Sequence, residues 1–383
     1  MSKYDFELNE FKARQKRVRA AMGAEGIDLL LVISPVNINY LIGVGSKMFQ
    51  ELHVLFFTLE EGPLTFLARA TEVNEAVMFG LAEDVRGWGR EPEDVMDVIK
   101  AIMEEKGYLN RRIGLEVPQY YLHPHDYIKF REILKDALVK EPSTLIQNVK
   151  VVKSPAELAY MRKASDMADA GMQAAVDTIA EGKAGTDVAA QIFQTIMDLG
   201  SDAPSSPMNF AFGDLSCCPH WSPSADKLKN GDFMHLQFGP SYKRYSATIG
   251  RQLCLGQPTP RMKEIYQVAR EATDAAIAEI KAGVSGLNSH AAAKKVITDA
   301  GMEQYRLHLT GYVVGPAYPP SFVDAVVMNT GVDYILQAGM VVTVEPPVFI
   351  MEERLGVRLI ENVLVTETGG EVLSNFTRDL IVL

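Results

Sequence analysis

Val152-Lys-Ser-Pro-Ala-Glu-Leu158 is the stretch on which the reading of this chain turns. Ser154 suits a helix N-cap, Pro155 the first helical position, and Glu157 completes a capping box. Together they predict a helix start with a domain boundary immediately before it, dividing the chain into 1–153 and 154–383. The helix runs about 25 residues, to Glu181, and stops at Gly182. Beyond it, helical spacing over 186–199, 261–282 and 288–300 alternates with strand-like runs over 233–238, 245–254, 340–344 and 357–366, an α+β arrangement.

Ahead of the boundary the pattern differs. An amphipathic helix over 9–25 is closed by Gly26, and a buried strand follows over 28–34. Residues 53–59 and 63–68 flank Glu60-Glu-Gly62 as a hairpin. Helices over 71–81, 92–106 and 125–135 interleave with strands near 85–88, 112–116 and 145–152. Strands alternating with helices predict an α/β domain with a partly parallel sheet.

The 383 residues are too many for one typical domain, and 47% hydrophobic with 23% charged residues can bury a core without metal or disulfide staples. Thirty-eight Lys and Arg against 49 Asp and Glu leave a net charge of −11, which argues against nucleic acid or an anionic membrane as partner. Cys217, Cys218 and Cys254 make neither a disulfide framework nor a C-x-x-C pair. The first residues lack an apolar run of the signal-peptide kind, and the longest apolar runs have strand length, so a cytoplasmic protein is expected.

His220, in Cys217-Cys-Pro-His220-Trp-Ser-Pro223, is the general-base candidate by residue type, because a neutral imidazole takes a proton from water near pH 7. A plain surface histidine is the alternative. Cys217 and Cys218 allow a thiol nucleophile, although buried inert cysteine is commoner. Glu345 and Glu361 lie in apolar strands, where an unpaired carboxylate is costly. Gly311-Tyr312-Val-Val-Gly315-Pro-Ala-Tyr318-Pro-Pro320 reads either as a rigid loop or as a segment whose Tyr312 and Tyr318 line a pocket.

In order along the chain, Val152–Leu158 with Met161-Arg-Lys-Ala164, Gly231-Asp232, Gly339-Met-Val-Val-Thr-Val-Glu-Pro346 and Asn375-Phe-Thr-Arg-Asp-Leu-Ile381 resemble the creatinase/prolidase/methionine aminopeptidase superfamily. The resemblance implies a creatinase-type α/β amino-terminal domain, a pita-bread catalytic domain and a homodimer. Metallopeptidases of that superfamily ligate metal with Asp, Asp, His, Glu and Glu. The matching positions here are Gln237, Thr248, Tyr312, Glu345 and Ile360, with Glu361 one residue late and so on the opposite strand face. The resemblance therefore implies no metal and no cofactor. It also sets His220 eleven residues before Gly231, where creatinase carries its catalytic histidine.

Gly311–Pro320, Arg244-Tyr245 and the shifted Glu361 resemble ectoine hydrolase most closely. That branch implies metal-independent hydrolysis of a non-peptide C–N bond, of the cyclic amidine or guanidine type, in a small zwitterion. His220 would be the base, Glu345 would hold the cationic nitrogen, and Tyr312 and Tyr245 would donate hydroxyls. Arg251, His308, Glu361 and Tyr318 are expected around the substrate, and Arg69 is expected to reach across a dimer interface. The alternatives are an Xaa-Pro peptidase-like enzyme and a non-catalytic pita-bread binding protein.

Overall fold

The computed structural model describes residues 4–45, 47–91, 93–118, 120–331 and 333–383, the side chains of 325–327 excepted. The chain divides into two compact units, Met1–Lys150 and Val151–Leu383. None of its described helices is long and apolar enough to cross a membrane.

The first unit opens with α1 (Leu8–Glu25), which buries Phe11, Arg14, Val18 and Met22 at helical spacing and stops where Gly26 takes φ 72°. Then come β1 (Leu29–Val32), α2 (Pro35–Ile42), β2 (Val54–Thr58), β3 (Thr65–Arg69), α3 (Val73–Phe79), β4 (Asp84–Trp88) and α4 (Val95–Glu105). β5 (Ile113–Leu115), α5 (Pro124–Leu134), β6 (Leu138–Lys140) and α6 (Leu145–Lys150) complete it. One six-stranded sheet runs β4-β3-β2-β1-β5-β6, parallel at β3/β4, β1/β5 and β5/β6 and antiparallel elsewhere. The strand expected over 145–152 is instead the helix α6. Leu145 and Ile146 join the same apolar cluster as Val18 and Met22 of α1, and a short apolar run carries no period that separates helix from strand.

The second unit begins with α7 (Pro155–Thr178), capped by Ser154 and Glu157 in the expected reciprocal box. It continues through α8 (Gly185–Asp198), β7 (Asn209–Phe212), β8 (Phe233–Phe238), β9 (Ser241–Tyr242), β10 (Tyr245–Ser246), β11 (Ile249–Cys254), α9 (Pro260–Ala278) and α10 (Gly286–Asp299). β12 (Gly311–Tyr318), β13 (Ser321–Met328), β14 (Val341–Val344), β15 (Val348–Ile350), β16 (Leu355–Val357), β17 (Glu361–Val365), β18 (Gly370–Val372) and β19 (Ile381–Val382) follow. One sheet runs β18-β17-β14-β12-β10-β9 with β13 on β12, and a second runs β19-β11-β8-β7.

Three segments depart from expectation here. The single strand expected over 245–254 breaks at Ala247-Thr248 into β10 and β11, which belong to different sheets. Residues 311–318 form a buried strand hairpinned to β13 rather than a loop. Gly311 permits this, since a Cβ there would stand 1.9 Å from the Thr343 carbonyl oxygen. The single strand expected over 357–366 breaks at Arg358-Leu-Ile360, where Ile360 bridges to Gly250 of the other sheet. That bridge joins the two sheets where the site forms.

Candidate active site

A turn of 3-10 helix (Gly213–Cys217) delivers the chain to Cys218-Pro219-His220. Two buried side chains hold the two carbonyls ahead of His220. Nε2 of His235, on β8, donates to the Cys218 carbonyl at 3.1 Å, and Nη1 of Arg358 donates to the Pro219 carbonyl at 2.9 Å. His220 itself is exposed at the mouth of a cavity of about 380 Å³, lined also by His308, Tyr312, Asn209, Gln237, Arg358, Phe322 and Val323. The His220 and His308 rings meet edge to face, 6.3 Å apart. Tyr312 stacks on Phe322 at 6.2 Å.

The electrostatics favour neutral groups. Partial burial, then the Arg358 guanidinium and His308, lower the His220 pKa from its ordinary 6.5, against a raising effect of Glu345. Burial and then Arg358 push His235 down to about 3. Burial, with the Glu345 carboxylate next, holds the Tyr312 hydroxyl well above its usual range. At neutral pH the site thus offers an unprotonated imidazole and a protonated phenol, an acceptor and a donor for acid–base work.

A divalent metal does not fit this donor set. Of the five positions that match metal ligands, Gln237, Thr248, Tyr312 and Ile360 offer no carboxylate or imidazole. Gln237 accepts a hydrogen bond from Asn209 at 2.8 Å, and the Thr248 hydroxyl donates to the Phe238 carbonyl at 3.3 Å. Ile360 packs directly on Gly250, where an added Cβ would lie 2.5 Å from Ile360 Cγ1, so hydrocarbon fills that space. The remaining ligand, Glu345, is fully buried and paired with Arg358, Nη2 to Oε2 3.3 Å. Among the described residues no three His, Cys, Asp or Glu side chains are grouped to hold a metal ion.

Several residues expected around the substrate are spent elsewhere. Glu345 does not line the cavity; Arg358 covers one of its oxygens. Arg251 donates to the carbonyls of Gly250, Ile360, Phe376 and Thr377 and pairs with Glu361 at 2.8 Å, both buried. Glu361 lies on the far face, since Val344 is its register partner, and burial pushes its carboxyl up to about 7 despite Arg251 and Arg378. The Tyr245 hydroxyl donates to Glu157 at 2.6 Å, tying β10 to the capping box of α7. Tyr318 packs under Arg244, guanidinium to ring 4.5 Å, because bulges in β12 shift its register from Tyr312. Arg69, on β3, pairs with Glu51 at 3.0 Å and covers Trp88, and its reach across a dimer interface stays with the proposed homodimer. The Cys217 thiol is buried and raised in pKa, first by that burial and then by Cys218, which disfavours a thiolate.

The residues that sequence reasoning passed over are Arg358, Asn209 and His235. Arg358 did leave a signal: an arginine inside the apolar run Val357-Arg-Leu-Ile360 must find an anion or stay unburied. His235 and Asn209 left none, because their roles arise from partners 17 and 28 residues away.

A pita-bread unit with this cavity, preceded by a mixed-sheet α/β unit, defines a hydrolase of the peptidase–creatinase superfamily. The chain belongs to metallopeptidase family M24, which it matches over residues 159–367, and residues 14–152 match the creatinase/prolidase N-terminal domain. It is 29% identical over 264 residues to an Xaa-Pro dipeptidase of Pyrococcus horikoshii, covering 67% of this chain and 72% of that protein. It is 27% identical over 372 residues to the uncharacterized peptidase YqhT of Bacillus subtilis, 96% and 99% of the two lengths. Among solved structures it resembles the Xaa-Pro dipeptidase from Bacillus anthracis (TM-score 0.85, 25% identity, 97% and 100% covered) and the prolidase from Thermococcus sibiricus (TM-score 0.87, 25% identity, 97% and 99% covered). These relatives overturn the expected hydrolysis of a non-peptide C–N bond and the lower standing given to peptidase activity. The reason is plain: the motif-level likeness rests on Gly311–Pro320, Arg244-Tyr245 and Glu361, whereas likeness to named dipeptidases extends over nearly the whole chain.

Proposed function

We propose that the protein is a metal-independent peptide-bond hydrolase of the Xaa-Pro type acting on a small peptide. The observation that carries the reading is the placing of His220 and Tyr312, one an unprotonated base and the other a protonated donor, in one cavity of about 380 Å³. His220 takes a proton from water, and the water oxygen attacks the peptide carbonyl carbon. The carbonyl oxygen receives the displaced electron pair and accepts a hydrogen bond from Tyr312. Collapse expels the amine, which takes the proton back from His220, leaving a free carboxyl and a free amine. Gln237 and Asn209 present amide groups to the peptide backbone. A cytoplasmic setting and a homodimer belong to the same proposal.

The test is proline release from Ala-Pro, Leu-Pro and Phe-Pro by the purified protein with and without EDTA. Release unchanged by EDTA supports the reading. Absence of release from all three, or release lost to EDTA and restored by manganese, overturns it.

A further inference from the structure

We propose that Cys217, Cys218 and Met351 form a binding site for a soft monovalent cation of the copper(I) class, at the root of the loop that carries His220. None of the three lines the cavity or stands at a position matching the family's metal ligands. The site is therefore separate from the hydrolytic one and does not rest on the Xaa-Pro reading.

Tertiary structure brings the sulfurs together. Cys217 closes the turn Gly213–Cys217, which lies against the β15/β16 hairpin. The Ser216 hydroxyl donates to the Arg354 carbonyl at 3.0 Å, and a Cβ added to Gly356 would stand 2.1 Å from the Ser216 carbonyl oxygen. With turn and hairpin this close, Met351, the first residue after β15, sets its Sδ 3.6 Å from Cys217 Sγ. Cys218 is next in the chain, within hydrogen-bond reach of the same thiol, and neither cysteine is in a disulfide.

Two thiols and a thioether are soft donors of the kind that select copper(I) over oxygen-seeking cations, and a set of three falls short of the four ligands a structural zinc takes. Both thiols release their protons to solvent as their sulfurs bond the cation, so two thiolates and one positive charge leave the centre at −1. The thioether enters neutral. Burial, and next Cys218, keep the Cys217 thiol protonated until a cation takes the proton's place, while the nearby Arg354 guanidinium favours the anionic centre. Met351 is 71% exposed, so an ion reaches the sulfurs directly from solvent.

The test titrates the full-length, reduced protein with copper(I) under nitrogen, in competition with the coloured chelator bicinchoninate. Wild type should hold one copper(I) per chain against the chelator, and C217S/C218S should lose it. M351L, which keeps the bulk and removes the sulfur, should weaken binding roughly 10–100-fold, the scale for losing a supporting group at a metal site. C254S, which alters the third cysteine, should bind as wild type does. No copper held by wild type, copper held equally by C217S/C218S, or copper lost in C254S would each overturn the proposal. Should C217S/C218S fail to fold, M351L decides, since its side chain is exposed: affinity equal to wild type defeats the site, and a roughly 10–100-fold loss supports it. None of these readouts measures peptide hydrolysis, so a failure of the Xaa-Pro reading shows separately.

Discussion

His220 and His308 face each other across the mouth of the cavity with ring centroids 6.3 Å apart and planes at 78°. Only His220 stands on a loop whose preceding carbonyls are gripped by His235 and Arg358. H220A should therefore cut kcat/KM on an Xaa-Pro dipeptide by about 10²–10⁴-fold, the range for losing a general base. H308A should leave a far larger share of activity while moving the acid limb of the pH profile upward, because His308 helps lower the His220 pKa. In wild type that limb should fall below 6.5. Steady-state kinetics from pH 4.5 to 8 check all three.

Stability should fall with acid through His235. Its folded pKa, about 3, lies below the ordinary 6.5, so the unfolded chain takes up a proton that the fold refuses. The contribution is whole above 6.5 and is lost as pH drops toward 3, at up to about 1.4 kcal/mol per pH unit. H235Q, which keeps a donor for the Cys218 carbonyl and does not titrate, should flatten this dependence for the second unit. Urea unfolding at several pH values between 7 and 4 measures the slope.

Arg251 is tied into the fold by four backbone carbonyls and Glu361. R251M strands the backbone carbonyls it serves and leaves Glu361 buried beside Arg378 alone, at 3.9 Å, so it should cost about 3–5 kcal/mol. E361Q should cost less, since burial already favours the uncharged form of that side chain. Equal costs for the two in denaturant titrations, or an unchanged midpoint in R251M, would contradict this assignment.

Y245F removes the hydroxyl that Glu157 accepts at 2.6 Å. It should lower stability by about 1.5–3 kcal/mol, as for a hydrogen bond to a charged group, and leave KM for the dipeptide unchanged. A selective rise in KM at intact stability would return Tyr245 to the substrate site.

Much of the backbone was legible because its signals are local. The Ser154–Glu157 box, the stop at Gly26 and the β2/β3 hairpin follow from spacing and cap chemistry within a few residues. Strand parity also placed Glu361 on the face away from Glu345. Residues 145–150 and 311–318 were misread because a short apolar run, or a Gly- and Pro-bearing one, has no period of its own; contact with α1 made the first a helix and pairing with β13 and β14 made the second a strand.

Residue identity by itself determined that Gln237, Thr248, Tyr312 and Ile360 stand at positions matching metal ligands, since no folding can turn an amide or an isopropyl-like branch into a carboxylate. Tertiary structure alone decided where the remaining charges went. Arg251 sank into carbonyls around residues 374–377, Tyr245 turned to Glu157, and Arg358 reached both Glu345 and Pro219. Spacing sets which face a side chain takes, but the partner of a buried charge is chosen by whichever opposite group the packed chain brings within hydrogen-bond reach.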